Sequence, residues 1–391
     1  MIIKLKKSEE EIISKLRELK NLAGSHSPSI SSIIKHLPQV KVKIDACFLS
    51  NPYATDLFFE YLKRDLIETG DIRPVLESYP SQNRVIAGYL SKLINVDEEN
   101  IFVGNGATEI IQAVMHRFVC GKVVVNIPTF SPYYEFANAD TKVVFYQLDK
   151  KDDYCIVPEK YLDFVKREKP DGVVIINPNN PNGGYLKFEE LKYIVSNLQD
   201  VSNIIIDESF VHFAFEDEDY SPVSAIDIFK EFPNVIVVKS MSKDFGIAGI
   251  RAGYAVMDRH KVSSLLKNGY LWNINGLAEY FFSLFERSDF LRDYENIRKR
   301  YISETQQFFA ALSQIRGIKV YPSMANFVLV ELLDGIKSDD FVFSLLVKYG
   351  IYFRTCSDKK GLEGEFVRIS SRKKEENEVI LQVMNSIYEC T

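Results

Sequence analysis

Val235-Ile236-Val237-Val238-Lys239-Ser240-Met241-Ser242-Lys243-Asp244-Phe245-Gly246-Ile247-Ala248-Gly249-Ile250-Arg251-Ala252-Gly253-Tyr254 is the stretch around which the chain is read. The apolar run 235–238 feeds into one lysine, Lys243, set among small hydroxyls and glycines, and Arg251 follows eight positions later. A lysine amine condenses with an aldehyde once its ammonium can lose a proton. Hydroxyls and a guanidinium beside it are what a phosphate needs. An aldehyde that carries a phosphate, pyridoxal phosphate, meets both conditions. The competing reading is a surface lysine after a strand, with glycines that only turn the chain. Short motifs occur by chance, so the rest of the chain has to decide.

The chain has 391 residues, of which 46% are apolar and 26% charged. That suits an ordinary globular protein of about two domains. The net charge of −6 and the lack of a basic block argue against nucleic acid as a partner. Cys47, Cys120, Cys155, Cys356 and Cys390 are far apart and odd in number. This argues against a disulfide framework and against a metal site, so a reduced, cytoplasmic setting is expected. The N-terminus lacks the apolar core of a signal peptide, and no stretch has the roughly 18 apolar residues of a membrane span, so no membrane partner is expected.

Residues 8–22 carry apolar positions at helical spacing, and Gly24 to Ser32 reads as a loop. Helical periodicity returns over Asp56–Glu68 and Arg84–Leu93. From about residue 100, apolar runs alternate with helical segments: 101–103, 123–125, 143–145, 173–176, 204–206 and 235–238. These runs are apolar throughout, the mark of strands covered on both faces in a mostly parallel sheet. Residues 258–310 read as largely helical. The remainder reads as a smaller α+β unit, with strands near 320, 327–330, 351–353 and 366–369 and helices over 338–349 and 374–388.

Each candidate site follows an apolar run, where open α/β sheets bind ligands. Gly106-Ala107-Thr108 opens a helix whose free N–H groups suit a phosphate, although a plain Thr cap has the same sequence. The run 177–184, with two Asn-Pro steps, neither extends a strand nor starts a helix; it is a preset loop that can aim an amide. Asp207-Glu208 ends a strand, and a carboxylate there can pair with a protonated pyridine nitrogen.

In chain order these features are a phosphate turn, an aromatic-rich loop, an Asn loop, Asp, Lys and Arg. The set closely resembles the fold-type I pyridoxal-phosphate enzymes of the aspartate aminotransferase superfamily, above all the branch of histidinol-phosphate aminotransferase and threonine-phosphate decarboxylase. The match runs from about Asn51 to Arg368. It implies a large domain (51–285) with a mostly parallel, seven-stranded-type sheet between helices, a small C-terminal α+β domain (286–391), and an N-terminal segment (1–50) packing with the small domain. It also implies that Lys243 holds pyridoxal 5'-phosphate as a Schiff base and moves the proton at Cα. Asp207 would pair with the pyridine nitrogen and Asn180 with the phenolic oxygen. Ala107, Thr108, Ser240, Ser242 and Arg251 would bind the phosphate, and Phe130 would stack on the ring. Tyr79 would reach the cofactor phosphate of a neighbouring subunit, so a homodimer is implied. Arg368 would clamp a substrate α-carboxylate, Arg354 a substrate phosphate, and Tyr53 would lie on the substrate side.

One departure separates two reactions. Three residues after Asp207, histidinol-phosphate aminotransferases carry a tyrosine that donates to the phenolic oxygen; here it is Phe210, as in the decarboxylase branch. The loop Trp272–Ala278 also resembles that branch. The expectation is therefore decarboxylation of a phosphorylated β-hydroxy amino acid, serine or threonine phosphate, to an amino alcohol phosphate and carbon dioxide. The alternative is amino transfer from a small phosphorylated amine or amino acid to an oxo-acid. A catalytically inactive binding protein of the same fold is disfavoured by the retained Lys243, and a dinucleotide enzyme by the missing third glycine after Gly104-Asn105-Gly106.

Overall fold

The computed structural model describes residue 3, residues 5–333 and residues 335–388, so Cys390 lies outside the described residues. The strands among them are, in chain order, β1 (Ile44–Ala46), β2 (Ile101–Gly104), β3 (Lys122–Ile127), β4 (Lys142–Gln147), β5 (Gly172–Ile176), β6 (Asn203–Asp207), β7 (Val235–Ser240), β8 (Gly253–Val256), β9 (Ile318–Val320), β10 (Phe327–Leu332), β11 (Ile351–Thr355) and β12 (Phe366–Ser370). They form a seven-stranded sheet, β2-β8-β7-β6-β5-β3-β4, and a five-stranded sheet, β1-β11-β12-β10-β9.

The seven-stranded sheet has the expected form. Its neighbours run parallel, except that β8 is antiparallel to both β2 and β7. Its inner strands β5, β6 and β7 are buried along their whole length because both faces are covered, whereas the edge strand β4 is only half-buried. Val173 and Ile175 pack with Leu191 and Ile194 of the helix Phe188–Ser196. Their neighbours Val174 and Ile176 point the other way, onto Ile110, Ile111 and Val114 of the helix Ala107–Phe118. The sequence reading missed β8. Gly253-Tyr254-Ala255-Val256 is too short to show a period of its own, and pairing on both edges makes it a strand.

In the five-stranded sheet, Val367 and Ile369 of β12 face a helical layer that includes Phe341 and Leu345 of the helix Ser338–Tyr349 and Ile380 of the helix Lys374–Tyr388. Alternation places Arg368, between them, on the opposite face. The N-terminal helix Lys7–Ala23 buries Ile13 and Leu16 in this same core, and β1 pairs with β11 at the sheet's edge. The helix Ser288–Leu312 joins the two halves: Phe290 and Tyr294 pack in the core of the larger sheet, Phe308, Phe309 and Leu312 in that of the smaller.

Two local readings change. The expected loop 24–32 gives way at Ile30 to a short helix, started by the Ser29 hydroxyl, which accepts from Ser32 N. The helix read from Asp56 begins at Pro52, because the Asn51 side chain accepts the N–H groups of Tyr53 and Ala54. Residues 258–310 hold three α-helices, Arg259–Lys267, Gly276–Ser283 and Ser288–Leu312, with a 3-10 turn, Leu284–Glu286, between the last two.

Candidate active site

A cavity of about 240 Å³ opens beyond the C-terminal ends of β5, β6 and β7, lined on one side by Ile176, Asp207 and Ser240 and on the other by Arg354 and Arg368 of the smaller sheet. Asp207 is the last residue of β6 and is 2% exposed. Its Oδ2 accepts the Tyr133 hydroxyl at 2.7 Å and its Oδ1 accepts Ser209 N at 2.8 Å. Burial pushes its carboxyl above the usual range, and the bonds from Ser209 and Tyr133 oppose that.

Lys243 also lines the cavity, and its ammonium forms no hydrogen bond or ion pair among the described residues. It is partly exposed to the cavity, yet the protein around it strips most of its hydration. Desolvation first, then the charges of Arg368 and Arg251, bring its pKa down to about 8; Asp244 and Asp207 pull the other way. An amine in that state is a nucleophile at neutral pH. Its own carbonyl accepts Asn51 N at 2.8 Å, which fixes the turn that carries it.

Ala107 and Thr108, in the first turn of the helix Ala107–Phe118, share this cavity with Ser240, Ser242 and Arg251. Gly104, Ser240 and Gly253 lie in register on adjacent strands, so β8, running antiparallel, starts at the edge where β2 and β7 end. Arg251, two residues before β8, is held there with φ of +61°. A non-glycine residue in that region is strained, and such strain gathers at functional sites. Its guanidinium lies so close to Gly106, at φ of +79°, that a Cβ there would strike it.

Asn180 and Phe130 complete this wall. The loop that carries Asn180 is pinned from within and from the 128–130 turn: Asn179 accepts from Thr129 Oγ1 at 2.9 Å and donates to Asn182 Oδ1 at 2.7 Å. Asn180 Oδ1 accepts Arg368 Nη1 at 2.7 Å.

Arg354 and Arg368 lie directly opposite each other on β11 and β12. They are 5% and 7% exposed, and like charges so paired repel. Arg354 Nη2 donates to Asp358 at 2.7 Å and to the Ser25 carbonyl at 3.0 Å. Arg368 Nη2 donates to the Cys47 carbonyl at 2.8 Å, and its Nε is buried with no partner. Lys359 joins them, its amine brought down to about 8 by desolvation and then by Arg354. Arg251, Arg354, Arg368, Lys243 and Lys359 thus share the cavity wall with one carboxylate, Asp207, while Asp358 pairs with Arg354 from beside it; the positive charge left over calls for an anion.

Two expected residues lie elsewhere. The Tyr53 hydroxyl donates to Glu304 Oε2 at 2.7 Å, under the Arg300 guanidinium, and is not part of the cavity wall. Tyr79 is 81% exposed and stacks on Trp272 at 5.1 Å. Phe210 does line the cavity, edge-on to Phe327 at 4.9 Å in a small apolar cluster. The sequence reading missed Tyr133, Lys359 and the segment Ser25-His26-Ser27, which forms another part of the wall. For Tyr133 the signal was present, three residues past Phe130 in the aromatic loop; for the others a single sequence holds none.

The residues fit pyridoxal 5'-phosphate. The Gly106 cradle under Arg251 is shaped for an anion, Asp207 is a buried acceptor with two donors already fixing it, and Lys243 is an unpaired amine beside both.

The family model for aminotransferase class I and II matches residues 65–384. The chain is 58% identical over 388 residues to an L-serine phosphate decarboxylase of Campylobacter jejuni, covering 99% of this chain and 100% of that one. It is 51% identical over 369 residues to an L-serine phosphate decarboxylase of Sulfurospirillum multivorans, 94% of each chain. A solved structure of a decarboxylase from Sulfurospirillum multivorans superposes with a TM-score of 0.94 at 49% identity, covering 98% of both chains. The chain belongs to the aminotransferase class I and II family, and its cofactor is pyridoxal 5'-phosphate.

Proposed function

We propose that the chain decarboxylates L-serine phosphate to an amino alcohol phosphate and carbon dioxide. The observation that carries this is the full-length similarity, at 58% identity, to the Campylobacter jejuni L-serine phosphate decarboxylase. The surplus of cations in the cavity supports it, because this substrate brings both a carboxylate and a phosphate.

In this reading Lys243 holds the cofactor through its amine. Asp207 accepts from the ring nitrogen, and Asn180 donates to the phenolic oxygen. Ala107, Thr108, Ser240, Ser242 and Arg251 take the phosphate, and Phe130 covers the ring face. When bound, the cofactor supplies the sink for the electron pair left on Cα. The chain's own residues do the rest. Arg368 holds the α-carboxylate and Arg354 the substrate phosphate, which fixes the substrate so that the bond from Cα to the carboxyl carbon is the one that breaks. Carbon dioxide leaves, and Lys243 gives Cα the proton that replaces it. Phe210 offers no hydroxyl to the phenolic oxygen and keeps that side apolar.

We also propose a homodimer in which the exposed Tyr79 reaches the partner's cofactor phosphate, the domain division 1–50, 51–285 and 286–391, and a cytoplasmic setting. Among the described residues no helix is long and apolar enough to cross a membrane.

The test is incubation of the cofactor-loaded protein with L-serine phosphate. Carbon dioxide and the amine product should form without any oxo-acid. Absence of carbon dioxide, with consumption of 2-oxoglutarate instead, would leave amino transfer as the reaction.

A further inference from the structure

Behind the cavity lies a second charged group that the proposed reaction does not use. The residues after Asp207 and Lys243 are both acids, Glu208 and Asp244, and both are buried, at 3% and 0% exposure. Lys239, 1% exposed on β7, touches both segments. Its Nζ lies 2.5 Å from Asp244 Oδ2 and donates to the Glu208 backbone carbonyl at 3.1 Å. Asp244 Oδ2 also meets His212 Nδ1 at 3.0 Å, and the same nitrogen lies 2.9 Å from the Tyr294 hydroxyl. One ammonium therefore ties the chain just past β6, which carries Asp207, to the turn just past β7, which carries Lys243.

We infer that Lys239 is a positioning residue: by holding Asp244 and the Glu208 carbonyl together, it fixes the spacing of Asp207 and Lys243 from the side away from the ligand. The inference rests on the proposed roles of those two residues. A buried ion pair is expensive unless its geometry and further hydrogen bonds compensate, so its retention here asks for a use. Backbone pairing between β6 and β7 stops near this point: Asp207 is the last β6 residue in register with β7, and Glu208 N makes one further bond, to the Val238 carbonyl at 2.8 Å. Beyond it, Lys239 spans the gap. The groups facing the pair are Glu208 past β6, His212 on the turn 211–213, Tyr254 on β8, and Tyr294, Glu295 and Arg298 on the helix Ser288–Leu312. Burial, with Lys239 and Arg298, keeps His212 neutral, so Asp244 is the counter-charge to Lys239.

The test compares Lys239→Met/Asp244→Asn, which removes the tie without leaving a lone buried charge, with Lys239→Arg, which keeps it. In the apoprotein, brief acetic anhydride pulses across pH, read by mass spectrometry at Lys243, give the midpoint of its amine. The double variant removes both the Asp244 carboxylate, which favours protonated Lys243, and the Lys239 ammonium that opposes it, so a midpoint that differs from the native one reports moved neighbours of Lys243. In the loaded enzyme its kcat should fall about 10- to 100-fold with KM within threefold, the mark of lost alignment, while Lys239→Arg stays near the native values. A double variant with native midpoint and native kcat overturns the inference, as does a loss in KM alone. If the double variant does not fold, Asp244→Glu decides, because it shifts the tie by one methylene and keeps the charge: lowered kcat at native KM supports the inference, unchanged kinetics overturn it. An apoprotein midpoint that moves while Lys243→Ala keeps full activity removes the proposed function instead, since the labelling does not depend on the reaction.

Discussion

On the wall supplied by the seven-stranded sheet, Asp207 already holds two hydrogen bonds, and Asn179 is bonded to Thr129 and Asn182. On the wall supplied by the five-stranded sheet, two buried guanidiniums face each other and one nitrogen has no partner. On the first wall the acceptor is fixed before any ligand arrives. On the second, Asp358 offsets Arg354 while the Arg368 Nε has no partner, so a bound anion would relieve the repulsion there. The difference teaches that hydrogen bonds already made fix the acceptor on one wall, while like charges set opposite each other are left standing on the other.

The sharpest break in that contrast is Lys243→Ala. It removes the amine on the first wall, and carbon dioxide release should fall on the order of 10,000-fold, measured against the native protein. On the other wall, Arg354→Ala should weaken kcat/KM for L-serine phosphate on the order of 100-fold and that for unphosphorylated serine far less. Equal losses for the two substrates would show that Arg354 supports the wall and does not read the phosphate. The charge on Lys243 sharpens the comparison further. Cofactor capture needs the neutral amine, whose pKa is lowered to about 8. Below that pH the rate of reconstituting the apoprotein should drop about tenfold per unit, and above it the rate should level off. Gly106→Ala adds a Cβ at positive φ against Arg251. Cofactor affinity should fall about tenfold, by equilibrium dialysis, as the displaced guanidinium and a backbone strain of about 1–3 kcal/mol at this positive φ predict.

The smallest effect belongs to Phe210→Tyr. The new hydroxyl would donate to the phenolic oxygen and favour its deprotonated form, so the pH at which the bound cofactor's absorption changes should fall. Activity should change only a few-fold, and stability should drop by about 1 kcal/mol, because the hydroxyl enters the apolar cluster with Phe327.

The strands from 101 to 238 were legible because residues buried on both faces must be apolar without alternation, and the phosphate turn, Asn loop, Asp207 and Lys243 because each directly follows such a run. Arg354 and Arg368 were legible only by resemblance. An arginine in a strand looks like a solvent-facing residue until the opposite face is known. Tyr133 was not read although it stands three residues past Phe130 in the aromatic loop, and Lys359 was not read because nothing local marks which lysine enters a cavity.

By itself, the sequence determined the local chemistry: an amine that can react, a carboxylate at a strand end, glycines where the backbone must bend. These follow from residue type and from burial patterns of short range. Only the tertiary structure decided where Arg251 sits, because β8 slots in antiparallel and returns the chain to the edge where β2 and β7 end. It alone set Arg354 against Arg368 and let Lys239 reach two segments at once. Those juxtapositions come from strand order and register, which depend on the packing of the whole chain and are written in no single stretch of it.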